Sequence, residues 1–311
     1  EGASVTVAFS ATGDSPYDIA PAPSALPGDF GTGIANGADR RIVWDAAATL
    51  PPGTFGTSYR AAVTAVGGTF SSNRISFHSD RDVHLLFEIY TMRPDGTDVV
   101  RLTNNVVDDG GAAWSPDGTK IAFWSERDGN GEIYLMNADG TGQTRLTFDP
   151  GSDRTGSFTP DGSRLLFVSD RDGDFEIYSM NLEGTDVVQL TFNDWKDDKP
   201  LVSPDGGRVA FISDRTGDFD IFTMSVHGGS ATRLTNNADR DSLGGWSPDG
   251  ANLAYFNGLP GTYEIWIMAS DGSGKQRLTY TPGNDSNPQW SPDGSTIVFL
   301  SDREQQWLYE I

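Results

Sequence analysis

The chain has 311 residues and no cysteine, which excludes thiol catalysis, disulfides and cysteine-ligated zinc. Acidic residues number 44 against 22 basic ones, a formal net charge of −22. Such a surface repels phosphate backbones and anionic lipid, so no nucleic acid partner is expected, and cations, basic proteins or neutral glycans are favoured. No apolar run approaches the ~20 residues that cross a bilayer, so no membrane insertion is expected.

In chain order, Val5 to Phe9, Arg41 to Trp44 and Tyr59 to Thr64 alternate and are rich in β-branched residues, which predicts strands. Gly and Pro clusters at Pro21 to Gly33 and Pro51 to Gly56 separate them. Residues 1–65 resemble a small β-sandwich of the immunoglobulin or fibronectin-III type, with fewer strands than the roughly seven such a sandwich needs. Glu1-Gly2 reads as the end of a loop, and the last repeat stops at Ile311 inside its third strand. The expectation is a fragment of a larger surface protein.

From residue 66 onward the chain repeats. Ser-Pro-Asp-Gly begins at Ser115, Ser203, Ser247 and Ser291, and Thr-Pro-Asp-Gly at Thr159, at steps of 44 residues. Leu-Thr pairs at Leu102, Leu146, Leu190, Leu234 and Leu278 share that period, as do the acidic-Ile-aromatic triplets at Glu88, Glu132, Glu176, Asp220 and Glu264. One repeat predicts four strands. In the second, these are Ala112 to Trp114, Lys120 to Ser125, Glu132 to Met136 and Thr144 to Thr147, with Asp-Gly or Asn-rich turns between them. Four antiparallel strands per ~40–45 residues is the pattern of a propeller blade, and stacking blades about an axis buries both faces of each sheet. The aromatic slot that ends the first strand holds Phe70, Trp114, Phe158, Val202, Trp246 and Trp290. The fold class expected is therefore all-β, a six-bladed propeller over 66–311 with an incomplete last blade, preceded by the sandwich over 1–65.

The sequence Trp-Ser-Pro-Asp-Gly, then Ser-Asp-Arg, Glu-Ile-Tyr and Leu-Thr, resembles the TolB-type (WD40-like) propeller repeat over about residues 66–311. The resemblance implies the fold closely and the function loosely, because this superfold carries scaffolds, lectin-like binders, lyases and peptidase caps.

Six residues before each Pro-containing turn stands an aspartate: Asp109, Asp153, Asp197, Asp241 and Asp285, with Ala65 in the sixth equivalent position. On the innermost strands these would ring one mouth of the central channel. Carboxylates that close repel one another unless a cation lies among them, so calcium is one reading. The other is structural: each aspartate bonds backbone amides or an arginine. The recurrent Ser-Asp-Arg slot, with Arg81, Arg127, Arg171, Arg215 and Arg303, makes that pairing available, and the fifth repeat breaks the slot with Phe256-Asn257-Gly258-Leu259. A second candidate for calcium is the hairpin with Asp170, Asp172 and Asp174 around Gly173, although Asp-Gly is also a common hairpin turn.

Catalytic constellations are missing from the sequence: no Gly-x-Ser-x-Gly elbow, no His-Glu-x-x-His and no phosphate loop. His78, His84 and His227 are scattered through the first and fourth repeats. The resemblance includes oligogalacturonate lyases, which use clustered His and basic residues around a metal, and this chain has no such cluster. The function expected is an extracytoplasmic, non-enzymatic module (extracellular, cell-surface or periplasmic) that binds another protein or further copies of itself. A carbohydrate-binding or polysaccharide-lyase propeller with a glycan at the channel mouth is the alternative, which an exposed pair of Trp residues beside the channel would favour.

Overall fold

The computed structural model describes residues 4–9, 40–45, 64–65, 74–82, 86–93, 96–280 and 283–301. Every regular element among them is a β-strand.

The second to fifth repeats fold as the spacing predicts, with small shifts at strand ends. In the second blade, Asp109–Trp114, Lys120–Ser125, Glu132–Asn137 and Thr144–Arg145 pair antiparallel in sequence order. The turn between the first two strands is fixed locally. Ser115 Oγ donates to Asp117 Oδ1 at 2.6 Å, Asp117 Oδ1 accepts from the Thr119 amide at 3.0 Å, and Gly118 takes a positive φ of 68°. The hydroxyl bond from Ser115 heads the causes that hold the Asp117 carboxyl below its usual range.

Among the described residues five such four-stranded blades form, opening at Thr64–Ala65, Asp109–Trp114, Asp153–Phe158, Asp197–Val202 and Arg240–Trp246. The expected six is thereby corrected to five. Asp285–Trp290 and Ile297–Ser301 form a two-stranded sheet between the fifth blade and the first, and Asp285–Trp290 approaches Thr64–Ala65. First strands of successive sheets neighbour one another, so they line the axis. They run close: a Cβ at Gly244 would lie 2.0 Å from the Pro288 carbonyl oxygen.

The first blade also starts earlier than its repeat spacing implies. Ala65 pairs with Ile75 and Thr64 with Ser76, which makes Ala65 a strand residue and not a linker. Ten residues separate Ala65 from its partner Ile75, where seven separate the equivalent pair Trp114 and Ile121, so the first strand ends earlier than its spacing predicts; Phe70, assigned to the aromatic slot, lies outside the described residues. Ahead of the blades, Ser4–Phe9 pairs antiparallel with Arg40–Asp45 and runs alongside Ile297–Ser301. Of the third strand expected in the sandwich, Thr64 belongs to the first blade, and residues 59–63 lie outside the described residues.

The core lies between sheets. Ile133, Leu165, Phe167, Tyr178 and Met180 form one buried cluster across the second and third blades, and Leu243, Trp246, Leu253 and Tyr255 belong to another. Each complete blade stacks an aromatic pair from its middle strands, as in Phe123 on Tyr134 and Phe167 on Tyr178, both with ring centroids 5.6 Å apart.

Candidate functional site at the blade junctions

Strand register decides what sits at each end of a blade. Asp109 is opposite Ser125, which is opposite Glu132, so the start of the first strand, the second hairpin and the end of the fourth strand share one end. The Pro-Asp-Gly turns lie at the other. The hairpin end therefore gathers most of the charged repeat positions.

The five aspartates singled out from the sequence all lie at this end, and all are buried. Asp153 accepts from Arg171 Nη2 at 3.1 Å on both oxygens, and Asp197 accepts from Arg215 Nη2 at 2.8 Å on both. Asp109 accepts from Arg127 Nη2 at 3.0 Å and from Asn105 Nδ2 at 2.7 Å. The same arginines donate Nε to the serine of their slot and lie over the stacked aromatic pair; Arg171 Cζ is 5.2 Å from the Phe167 centroid and 4.8 Å from that of Tyr178. One guanidinium thus ties two strands and two rings of the same blade. In the fifth blade Asn257 takes the serine position and donates Nδ2 to Asp241 at 2.8 Å, while Leu259 in the arginine position is exposed. Burial without a cationic partner pushes the Asp241 carboxyl up to about 6. Asp285 accepts from Ser301 Oγ at 2.5 Å.

A second buried acid, read in the sequence only as a repeat marker, completes each junction. Glu132 opens the third strand of the second blade and faces Asp153 of the third blade closely enough for the Asp153 charge to raise its proton affinity. Burial is the main cause that raises both carboxyls, and Thr147 bonds to both. Arg145 on the fourth strand donates Nη2 to Glu132 Oε1 at 2.6 Å, pairs with Asp128 at 3.3 Å and lies 4.6 Å over the ring of Phe148. Arg101 bonds Glu88, Arg233 bonds Asp220 and Arg277 bonds Glu264 in the same way. The threonine of each Leu-Thr pair accepts the amide of the residue after the acid, as Ile133 N to Thr147 Oγ1 at 2.9 Å. The signal for this arrangement was present in the sequence, as an arginine 13 residues after each acid, broken at Gln189 alone.

Asp170 and Asp172 do not converge on Asp174 as ligands of one site. Asp170 Oδ1 accepts the Ser152 amide at 2.6 Å and Asp172 Oδ2 accepts from Gln189 Nε2 at 2.5 Å. Among the described residues no three Asp, Glu or His side chains are grouped to hold a metal ion. His227 is exposed at a turn, and His84 lies outside the described residues.

The opposite end of the first strands holds a cleft of about 250 Å³ lined by Leu201, Val202, Trp246 and Trp290. Trp246 is buried, donates Nε1 to the Leu201 carbonyl at 3.0 Å and is overlain by Arg208.

Comparison with known proteins agrees with the repeat. The TolB β-propeller domain family matches residues 149–259 and 242–310, and the N-terminal β-propeller domain of Tricorn protease matches 68–176. The chain belongs to the TolB β-propeller family. Among solved structures, a TolB-type protein of Agrobacterium tumefaciens is similar with a TM-score of 0.70 at 21% identity, covering 96% of this chain and 99% of that one. TolB of Acinetobacter baumannii shares 26% identity with a TM-score of 0.60, over 79% of this chain and 61% of that one. An oligogalacturonate lyase of Vibrio parahaemolyticus has the same fold at 18% identity, with a TM-score of 0.53 over 78% of this chain and 69% of that one. No curated protein matches the chain. Among the described residues no helix is long and apolar enough to cross a membrane.

Proposed function

We propose that this TolB-family propeller is a non-enzymatic module that binds another protein through the hairpin end of its blades. The observation that carries this is the exposure of large apolar side chains there. Phe148 (73%), Phe192 (74%) and Tyr280 (71%) follow directly on the Leu-Thr pairs of three repeats, and Trp195 joins Phe192 on the same connection. Exposed aromatics held by a rigid scaffold are the usual anchors of a protein interface, and here they are set among acidic loops that suit a basic partner. Family membership supports an extracytoplasmic setting, periplasmic or at the cell surface. The test is site-specific photo-crosslinking in the native host from positions 148 and 192, with position 161 on the opposite turns as the reference. Protein adducts formed from 148 and 192 and not from 161 are expected; no protein adduct from either end overturns the reading.

The cleft with Trp246 and Trp290 is the feature among the described residues that favours a glycan ligand as a second reading. With Trp246 buried, it offers a single partly exposed indole in place of an open stacking platform. A glycan array with a lyase assay on uronate polymers separates this second reading from the first.

A further inference from the structure

The third blade lacks one cation that four other blades supply. In blades one, two, four and five an arginine on the fourth strand ends on the buried acid that opens the third strand. In the third blade that position is Gln189, which bonds Asp172 and leaves Glu176 with only the Asn193 amide and side chain and a bond to Thr191. The same arginine covers the exposed aromatic of its repeat, Arg145 over Phe148 and Arg277 over Tyr280, each at 4.6 Å. Phe192, in the equivalent position, has no arginine or lysine over its ring among the described residues, and none pairs with Glu176. Every other component of the guanidinium site is retained: the buried acid, the hairpin carboxylate of Asp172 and the aromatic ring.

We propose that this junction is a receptor for an arginine side chain of a protein partner, which stacks on Phe192 and pairs with Asp172 and Glu176. Blade two shows the same three groups, Glu132, Asp128 and Phe148, holding the guanidinium of Arg145 within this very molecule, which is stronger ground than negative charge alone. Surrounding charge assists. Asp174 and Asp194 flank the position and are unneutralised by any ion pair among the described residues, and Asp174 is pushed up by burial and then by Asp172, Asp194, Asp197 and Asp214. The basic groups nearby are engaged: Arg171 on Asp153, Arg215 on Asp197, and Lys196 over Phe175 at 4.8 Å. Burial leaves Glu176 with a proton affinity near neutrality, about 7, so an arriving guanidinium displaces a proton. A planar, permanently charged fork fits a carboxylate pair beneath an aromatic face better than an ammonium does.

The proposal rests on the protein-interaction reading, and two arms keep their failures apart. In the first, the isotope-labelled full chain is titrated with acetyl-Gly-Arg-Gly-amide and observed by amide NMR. Shifts confined to residues 172–176 and 189–195 are expected, at least tenfold weaker with the citrulline peptide and with Q189R, which places an arginine in the gap. Binding should tighten as pH rises through about 7, because the carboxylate form is the one bound. Absence of these shifts, or shifts that persist in Q189R, overturns the proposal. In the second arm, Q189R and wild type are compared in the crosslinking experiment from position 195 on the same connection, which leaves Phe192 in place. Loss of the adduct in Q189R supports the arginine site. An undiminished adduct overturns the arginine site while the interaction reading stands. If the peptide binds as expected and neither chain captures a protein, the receptor is for free guanidinium compounds, which overturns the protein source.

Discussion

Blades two and three share one scaffold, one length and one aromatic core, and differ at the hairpin end in Arg145 against Gln189 and in the neighbouring loops, as in Asn130 against Asp174. In blade two the buried acid Glu132 is neutralised within the blade and the exposed Phe148 is covered on one side. In blade three the equivalent acid and ring are present and the cation is missing. A repeat protein can change a single position in one copy without disturbing the others, because each blade contacts only its neighbours. The difference teaches that the inner acid and the outer acid have separate duties. The inner one keeps its partner in blades two, three and four, while the outer one is free to lose it.

The strongest way to break the comparison is at the inner acid of blade three. Arg171→Ala strands buried Asp153 and uncovers the Phe167–Tyr178 stack, and should lower stability by about 3 kcal/mol, measured by urea unfolding. Full stability in that variant would show that the inner pair is dispensable. Next, Arg145→Gln converts the outer site of blade two into that of blade three. It should cost about 2 kcal/mol, since Glu132 is buried and keeps only Thr147. The same unfolding curves report it.

The reverse change, Gln189→Arg, should stabilise the chain by about 1 kcal/mol and alter its pH dependence. The folded pKa of Glu176, about 7, is above the usual carboxyl value of 4.5, so between those values the folded chain holds a proton the unfolded chain has lost. Stability from this group is greatest on the acid side and declines as pH rises through about 7. An arginine beside it lowers the folded pKa and flattens that decline. Asp241, at about 6, contributes with the same sign in both proteins, so the difference between their melting curves isolates Glu176. Equal pH slopes for the two chains would mean that Glu176 titrates normally. The smallest effect expected concerns calcium. Asp109, Asp153, Asp197, Asp241 and Asp285 each have a side-chain donor, so added calcium or a chelator should leave the melting temperature unchanged. A rise with calcium would establish the cation ring after all.

Much of the fold was legible. Lys120 to Ser125 is a strand with the bounds its alternation predicts, and the Pro-Asp-Gly turns stand where the motif puts them. Pro and Gly act locally, through φ and through the absence of a side chain, so their signal survives without tertiary context. The blade count was less secure. The slot recurs six times, whereas among the described residues five sheets carry four strands and the sixth repeat contributes the two strands Asp285–Trp290 and Ile297–Ser301. The first blade departs from the spacing too: Ala65 pairs with Ile75, ten residues on, where Trp114 pairs with Ile121, seven on, and register is set by which partner a strand finds.

The candidate sites divide along the same line. Asp153 and Arg171 were both marked by their spacing, and the sequence left open whether the aspartates face a cation or a guanidinium; only the packed hairpin shows the arginine reaching back over its own rings. Glu176 stood in plain view as a repeat marker, but its role depends on burial and on a residue from another strand, neither of which is local. The sequence by itself determined the period, the strand order and the turn chemistry, since these follow from backbone preferences of a few neighbouring residues. Tertiary structure decided which carboxylates are buried and which arginine each one meets, because desolvation and charge pairing depend on distance through space and not along the chain.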